Sequence, residues 1–164
     1  EAINCWASFH SVQPTRAFLP PFMASVGRLK RGPVQHDQTE PTSLKVSEPM
    51  IYKGSCHCGQ IAFEAEGNLE KVMECNCSIC SKRGSLHWFV PRENFRLLTP
   101  EHDFATYTFN KHQIKHRFCP KCGCAPFGEG LAPTGNYMVA INARCLDGVD
   151  LAPLKVGHFD GRSL

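Results

Sequence analysis

Clusters of cysteine give this sequence its most distinctive chemistry. Eight of the ten cysteines fall into three short groups: Cys56 and Cys58; Cys75, Cys77 and Cys80; and Cys119, Cys122 and Cys124. A disulfide needs Cα atoms about 4.4–6.8 Å apart with suitable Cβ directions, which cysteines separated by one residue rarely provide. Clustered thiolates are instead the soft ligands that zinc selects, with Zn–S distances of about 2.3 Å. The sequence therefore predicts a zinc protein.

The first and third cysteine groups together supply four ligands. The segment FCPKCGC at residues 118–124 has the C-P-x-C-G form of a zinc knuckle, a turn that directs backbone N–H groups at the sulfurs. Gly123 suits the positive-φ position that often follows the second ligand. One knuckle supplies two ligands, and the CHC segment at residues 56–58 is its partner. A closed, structural zinc site is therefore predicted from Cys56, Cys58, Cys119 and Cys122.

The middle group leaves a zinc ion one ligand short. Cys75, Cys77 and Cys80 supply three thiolates, and a tetrahedral zinc with three protein ligands keeps its fourth position for water or a substrate thiolate, as catalytic sites do. A thiol that binds such a zinc loses its proton. Cys124 offers an alternative, because its thiol could complete the middle site and make both zinc ions structural, or could be a small buried apolar residue. The sequence leaves both readings open.

Short strands must position these groups. From residue 51 onwards, apolar runs alternate with Gly, Pro and Asn, a pattern typical of β-structure. Residues 60–66 alternate, with Ile61, Phe63 and Ala65 on one face, and helical turns are predicted only at residues 69–73 and 77–83. Further strands are predicted at residues 86–90, 95–98, 104–109, 115–118, 137–142 and 156–159. We therefore expect a mainly β domain that relies on metal for stability.

The overall composition is that of one globular domain. The chain has 164 residues, of which 42% are hydrophobic and 20% charged. Its formal net charge of +3 would be cancelled by seven thiolates holding two Zn²⁺, so the charge does not imply a nucleic-acid partner. The sequence contains no apolar run of ~18 residues, so no membrane span is predicted. Because no signal peptide is recognisable either, the clustered thiols favour a cytoplasmic protein.

Residues 1–49 differ in composition from the rest of the chain. They contain six of the twelve prolines and show no sustained periodicity of either a helix or a strand. We therefore expect residues 1–49 to be a poorly ordered or artefactual leader, and residues 50–164 to form the zinc-binding domain.

Taken together, the three cysteine groups resemble those of the glutathione-dependent formaldehyde-activating enzyme family, which includes the centromere protein V group. The resemblance rests on GSCHCG at residues 54–59, CNCSIC at 75–80 and FCPKCG at 118–123, and it spans roughly Met50 to Leu164. It implies an Mss4-like fold, a small β-sandwich of short antiparallel strands pinned by two zinc ions.

The resemblance also implies an activity. Family membership would make the chain a carbon–sulfur lyase that joins glutathione to formaldehyde as S-hydroxymethylglutathione. In that family the structural zinc would be held by Cys56, Cys58, Cys119 and Cys122, and the catalytic-type zinc by Cys75, Cys77 and Cys80.

Several residues near the middle cysteine group are candidates for catalysis or substrate binding. His87 is the best acid–base candidate because it follows that group closely, although the alternative is a partly buried structural histidine. Lys82 and Arg83 directly follow Cys80. These two cations could hold a carboxylate of a glutathione-like substrate, or could be exposed charges after a turn.

Other polar residues are expected to have structural roles. His57 should point away from the metal because it lies between two ligands, and His116 should be a solvated side chain on a strand. Glu129 lies in the segment GEG at residues 128–130, which we expect to be a turn. The segment DGR at residues 160–162 is also predicted to form a turn.

Two functional hypotheses follow from the sequence. The first is a zinc-dependent lyase that acts on a small thiol adduct, with glutathione as the expected small-molecule partner. The second is a binding module in which both zinc ions only build the fold and a surface recruits a protein or nucleic acid. The short basic run at residues 111–117 lacks interleaved aromatic residues, which argues against nucleic acid.

Overall fold

Two β-sheets form the part of the chain that the computed structural model describes, residues 49–163. The expectation of a mainly β fold is confirmed. The expected leader falls almost wholly outside the described residues. Among residues 49–163, no helix has the length and apolar character needed to cross a membrane.

The strands are short and mostly antiparallel. In chain order they are β1 (Met50–Ser55), β2 (Ala62–Gly67), β3 (Lys71–Cys75), β4 (Leu86–Pro91), β5 (Phe95–Leu97), β6 (Ala105–Tyr107), β7 (Lys115–Phe118), β8 (Phe127–Leu131), β9 (Tyr137–Asn142) and β10 (Lys155–Phe159). A one-turn helix, α1, spans Cys80–Arg83, and 3₁₀ turns occupy Arg92–Asn94, Glu101–Asp103 and Ala143–Cys145.

The strands divide into a small and a large sheet. The small sheet has the order β1-β2-β5, and the large sheet has the order β10-β3-β4-β9-β8-β7-β6. All pairings are antiparallel except that of β10 with β3. The parallel pair is an exception to the antiparallel strands that the family resemblance implies. It brings the end of β10 beside the cysteine that ends β3.

The core lies between the two sheets and follows from strand alternation. Ile61, Phe63 and Ala65 are at most 1% exposed, as their alternation predicts. The Phe63 ring of the small sheet stacks on Phe95, with ring centroids 5.3 Å apart, and meets the Phe127 ring of the large sheet edge-on at 6.0 Å. These aromatic contacts join the sheets.

Two sequence predictions about local structure are wrong. Residues 69–73 do not form a helical turn, because most of that segment belongs to β3, which is paired on both sides by β10 and β4. Residues 128–130 are not a turn, because they lie in β8 between β7 and β9. Flanking glycines make β8 look like a loop, yet a Cβ on Gly130 would lie only 3.0 Å from the backbone oxygen of Gln113. Glycine is needed there for close approach of two segments.

The aromatic core yields a stability prediction. We expect Phe63→Ala to lower the free energy of unfolding by about 3–5 kcal/mol, because the ring is fully buried and its removal leaves a cavity. Urea unfolding of the metal-replete protein measures the change. Leu98→Ala is the control, since that side chain is 47% exposed and its loss should change stability by less than about 0.5 kcal/mol. Equal effects of the two substitutions would contradict this account of the core.

Candidate metal centres

Four cysteine sulfurs converge where strands of the two sheets end. Cys56 and Cys58 follow β1 of the small sheet, and Cys119 and Cys122 follow β7 of the large sheet. The four Sγ atoms all lie within 4.8 Å of one another, and both the Cys56–Cys58 and Cys58–Cys119 sulfur pairs are 3.6 Å apart. A disulfide requires about 2.05 Å, whereas sulfurs bound tetrahedrally at about 2.3 Å from zinc are ~3.8 Å apart. The four-thiol group therefore fits a zinc ion.

Tight turns orient the four cysteine side chains towards one another. Gly59 and Gly123 have φ values of 75° and 76°, and their N–H groups donate to the carbonyl oxygens of Cys56 and Cys119. This is the left-handed conformation that glycine adopts at low cost. Backbone N–H groups also reach sulfur: that of Cys124 donates to Cys122 and is the main reason why the pKa of the Cys122 thiol falls to about 6. The knuckle turn thus favours a thiolate at Cys122. At Cys58 the backbone N–H of Gln60 acts in the same direction, but desolvation and the neighbouring thiols outweigh it and raise the pKa to about 11.

The side chain of Cys124 packs on the four-thiol side of the protein. It contacts the core cluster that contains Cys56 and Cys119, and it does not belong to the cysteine group at residues 75–80. Cys145, which stands alone in the sequence, is half-buried, and burial raises the pKa of its thiol to about 11. Neither residue joins the middle group.

The middle group converges on the large sheet. Cys75 ends β3, Cys80 begins α1, and Cys77 lies in the loop between them. All three are at most 5% exposed, and their Sγ atoms lie within 4.8 Å of one another. Among residues 49–163, no fourth cysteine, histidine or carboxylate offers a ligand atom within that distance of all three. This three-thiol group has the donor chemistry that zinc accepts in sites with three protein ligands.

The alternation of side chains between the two faces of the sheet explains which residues surround the three-thiol group. The core side chains of β4 and β9, such as Trp88 and Ile141, face the small sheet, so the alternate residues face the other way. On that outer face, His87 is paired with Asn142 of β9 and with Met73 of β3. The three thiols pack there against Ala140. The candidate site therefore lies outside the main core, on the outer face of the large sheet.

His87 lies in contact with the three-thiol group. Its Nε2 is 3.3 Å from Cys80 Sγ, while its Nδ1 is buried and has no hydrogen-bond partner among the described residues. Burial lowers the pKa of His87 to about 4, so the ring is neutral at pH 7. An N–H at Nε2 can then donate to a Cys80 thiolate, which leaves Nδ1 as a buried acceptor.

A small pocket lies beside Cys80 and His87. It has a free volume of about 30 Å³, room for a water molecule or a one-carbon group. His116 also lines it and is half-buried, so it is less solvated than the sequence predicts. The His116 ring stacks on Phe109 with centroids 5.4 Å apart. Burial, reinforced by the Arg83 cation, lowers the pKa of His116 to about 4.

The two cations after Cys80 differ in position. Arg83 lines the same pocket, and partial burial of its guanidinium lowers its pKa while the negative charge of Cys80 opposes that shift. The guanidinium remains a cation at neutral pH. Both side chains are exposed, but Lys82 does not line this pocket. His57, as expected from its position between two ligands, is also exposed.

Glu129 is buried within a strand and does not lie in a turn. It is 9% exposed in β8, and the Arg117 guanidinium of β7 donates to its Oε1 from Nε at 2.8 Å and from Nη2. Arg92 lies 3.7 Å from Oε2, and Arg117 lies over the Phe104 ring. A buried carboxylate paired in this way belongs to the packing of the sheet.

Comparison of the chain with known proteins identifies its family. The chain is similar to a Rhodobacter sphaeroides protein of known crystal structure, a structural genomics target, with 26% identity and a TM-score of 0.58 over 65% of this chain and 99% of that one. Residues 51–158 match the family described as glutathione-dependent formaldehyde-activating enzyme. That match covers all three cysteine groups. The chain therefore belongs to the glutathione-dependent formaldehyde-activating enzyme family.

Proposed function

We propose that this protein catalyses the reversible addition of a small thiol, of the glutathione type, to formaldehyde. The single observation that carries the proposal is that three buried thiols lie against a histidine that lines a small pocket, and that the Nδ1 of this histidine is buried and has no hydrogen-bond partner among the described residues. Family membership supplies the substrate pair. In the reverse direction, the reaction is that of a carbon–sulfur lyase.

Two zinc ions are proposed to complete the protein. Cys56, Cys58, Cys119 and Cys122 would hold a structural ion, and Cys75, Cys77 and Cys80 would hold the second. When bound by three thiolates, zinc supplies a Lewis-acidic position that favours the deprotonated form of an added thiol. Cysteines grouped as zinc ligands, and not as disulfides, favour a reducing compartment such as the cytoplasm.

His87 is proposed to move the proton. In the addition, the sulfur–carbon bond forms, the carbonyl π bond opens onto oxygen, and the thiol proton ends on the new hydroxyl group. A neutral His87 with its Nε2–H towards Cys80 keeps a lone pair on Nδ1, which can accept the thiol proton and return it to oxygen.

Arg83 and Lys82 are proposed to orient the thiol substrate. Arg83 lines the pocket, and its guanidinium can donate two parallel N–H bonds to a carboxylate. Lys82 would add a more distant positive charge from its exposed position. The pocket has room for a one-carbon electrophile.

Metal content tests the ligand assignment. We expect two zinc ions per chain in the unaltered protein and in Cys124→Ser, because the Cys124 side chain packs outside the three-thiol group. We expect Cys80→Ser to retain only one ion, because it removes a member of that group. Zinc per chain is measured after gel filtration through metal-free buffer. Loss of a whole equivalent from Cys124→Ser would contradict an open three-thiol site.

Exchange kinetics test the catalytic role. With ¹³C-formaldehyde and glutathione, NMR exchange measures how fast free formaldehyde and the S-hydroxymethyl adduct interconvert. We expect the zinc-replete protein to accelerate this exchange over buffer and His87→Ala to reduce the acceleration about hundredfold, a typical loss for a proton-transfer group. His102→Ala is the matched control, since the His102 side chain is 81% exposed and lies outside the pocket.

A negative result would have a definite meaning. If the protein with two bound zinc ions left the exchange rate equal to that in buffer, the proposed activity would be wrong, and the alternative of a zinc-built binding module would stand. If the protein accelerated exchange and His87→Ala matched the unaltered rate, only the role of His87 would be wrong.

A further inference from the structure

A turn at residues 160–163, which we name the C-terminal turn, packs directly against the three-thiol group. Strand β10 runs parallel to β3, and its last residue, Phe159, is paired with Cys75. The C-terminal turn therefore emerges beside the end of β3, where the cysteine loop begins. It lies just beyond residues 51–158, the part of the chain that matches the family.

Gly161 is in van der Waals contact with the cysteines. It is buried, and a Cβ added to it would lie 2.8 Å from Cys75 Sγ and 3.0 Å from Cys77 Cβ. Its φ is outside the left-handed region, since the positive-φ glycines are others. The missing side chain is thus needed for space and not for backbone conformation. The backbone of the C-terminal turn forms a wall against two of the three thiol side chains.

Asn76 ties the cysteine loop to the same turn. This residue lies between Cys75 and Cys77, and its Nδ2 donates to Asp160 Oδ1 at 2.6 Å. Its Oδ1 accepts from the backbone N–H of Arg162 at 3.0 Å, and its own N–H donates to the Phe159 carbonyl oxygen at 3.2 Å. Ser163 Oγ donates to the other Asp160 oxygen. Both polar ends of the Asn76 carboxamide are therefore bonded to the turn.

We propose that the C-terminal turn positions the three-thiol site for metal, with Asn76 and Gly161 as its positioning residues. The inference rests on the proposed function, because it takes zinc as the ion bound there. Asn76 fixes the backbone between the first two ligands, and Gly161 limits how far their side chains can move. Ligands held in place before binding lose less conformational entropy when the ion arrives. Removal of such outer contacts typically costs about 10–100-fold in metal affinity.

Chelator competition on the full chain tests this role, with zinc alone as the probe. We expect Gly161→Ala to weaken one of the two zinc equivalents by about 10–100-fold and to leave the other unchanged. The four-thiol group provides an internal control in the same molecule. Gly157→Ala is the matched control in β10, because a Cβ there would meet Val72 O at an ordinary 3.8 Å. It should leave both equivalents unchanged.

A charge swap tests the hydrogen bonds without adding bulk at Gly161. Asn76→Asp alone places two carboxylates together and should weaken the same zinc equivalent. Addition of Asp160→Asn restores a donor opposite Asp at 76, still allows acceptance from Arg162 N–H, and should recover the affinity. Cobalt substitution gives a second readout: the absorption band of the weakened site should be lost first on chelation in Asn76→Asp and retained in the double variant.

The outcomes separate this inference from the proposed function. If the unaltered chain bound only one zinc, the two-zinc assignment would be wrong and the inference with it. If the unaltered chain bound two, and Gly161→Ala and Asn76→Asp both left the two affinities unchanged, the positioning role alone would be wrong. Equal weakening of both equivalents, or failure of the charge swap to recover affinity, would also overturn it, since either result indicates general loosening of the fold.

Discussion

The convergence of four thiols from two different sheets is the constraint on which the rest of the structure depends. Cys56 and Cys58 follow a strand of the small sheet, and Cys119 and Cys122 follow a strand of the large one. Segments about 60 residues apart in sequence are costly to hold together by loop closure alone. Thiolates brought this close also repel one another unless a cation is bound. A structural zinc bound there would both join the sheets and remove that repulsion. Such coupling of metal binding to folding suits a small β domain.

Within the large sheet, alternate residues along each strand point to opposite faces. The core residues therefore lie on one face and the residues of the candidate site on the other. The inner face of this sheet carries Trp88, Ile141 and Phe127 into the core. The Arg117 guanidinium of the buried Arg117–Glu129 pair lies over the Phe104 ring, which meets Phe127 edge-on. The outer face of the sheet carries His87 and the three thiols. A one-residue shift in pairing would exchange these faces, so the long β4–β9 ladder sets the position of the candidate site as well as the core.

The features that could be predicted from the sequence are those that depend on local patterns. Alternation located the core residues of β2 and most strands, and cysteine spacing separated a four-thiol from a three-thiol group. Prediction from the sequence failed where tertiary contacts override local preference. The glycines around Glu129 indicate a turn, yet they admit close neighbours into β8. The strand pattern predicts His116 to be a solvated side chain. Its place at the pocket follows from the pairing of His116 with Gly128, which a single sequence does not reveal.

The three-thiol site also depends on contacts between residues that are far apart in the sequence. Helix α1 is one turn long, too short to be stable by itself. It ends at Gly84, whose φ of 62° lets its N–H donate to the Cys80 carbonyl oxygen, and Ser81 Oγ donates to the Cys77 carbonyl oxygen. These bonds shape the loop locally but do not anchor it to the sheet. That anchoring comes from β3 and from residues about 80 positions away, through Asn76 and Gly161. Ligand spacing therefore predicts which residues can bind the ion, whereas the rigidity of the site depends on contacts that only the folded chain creates.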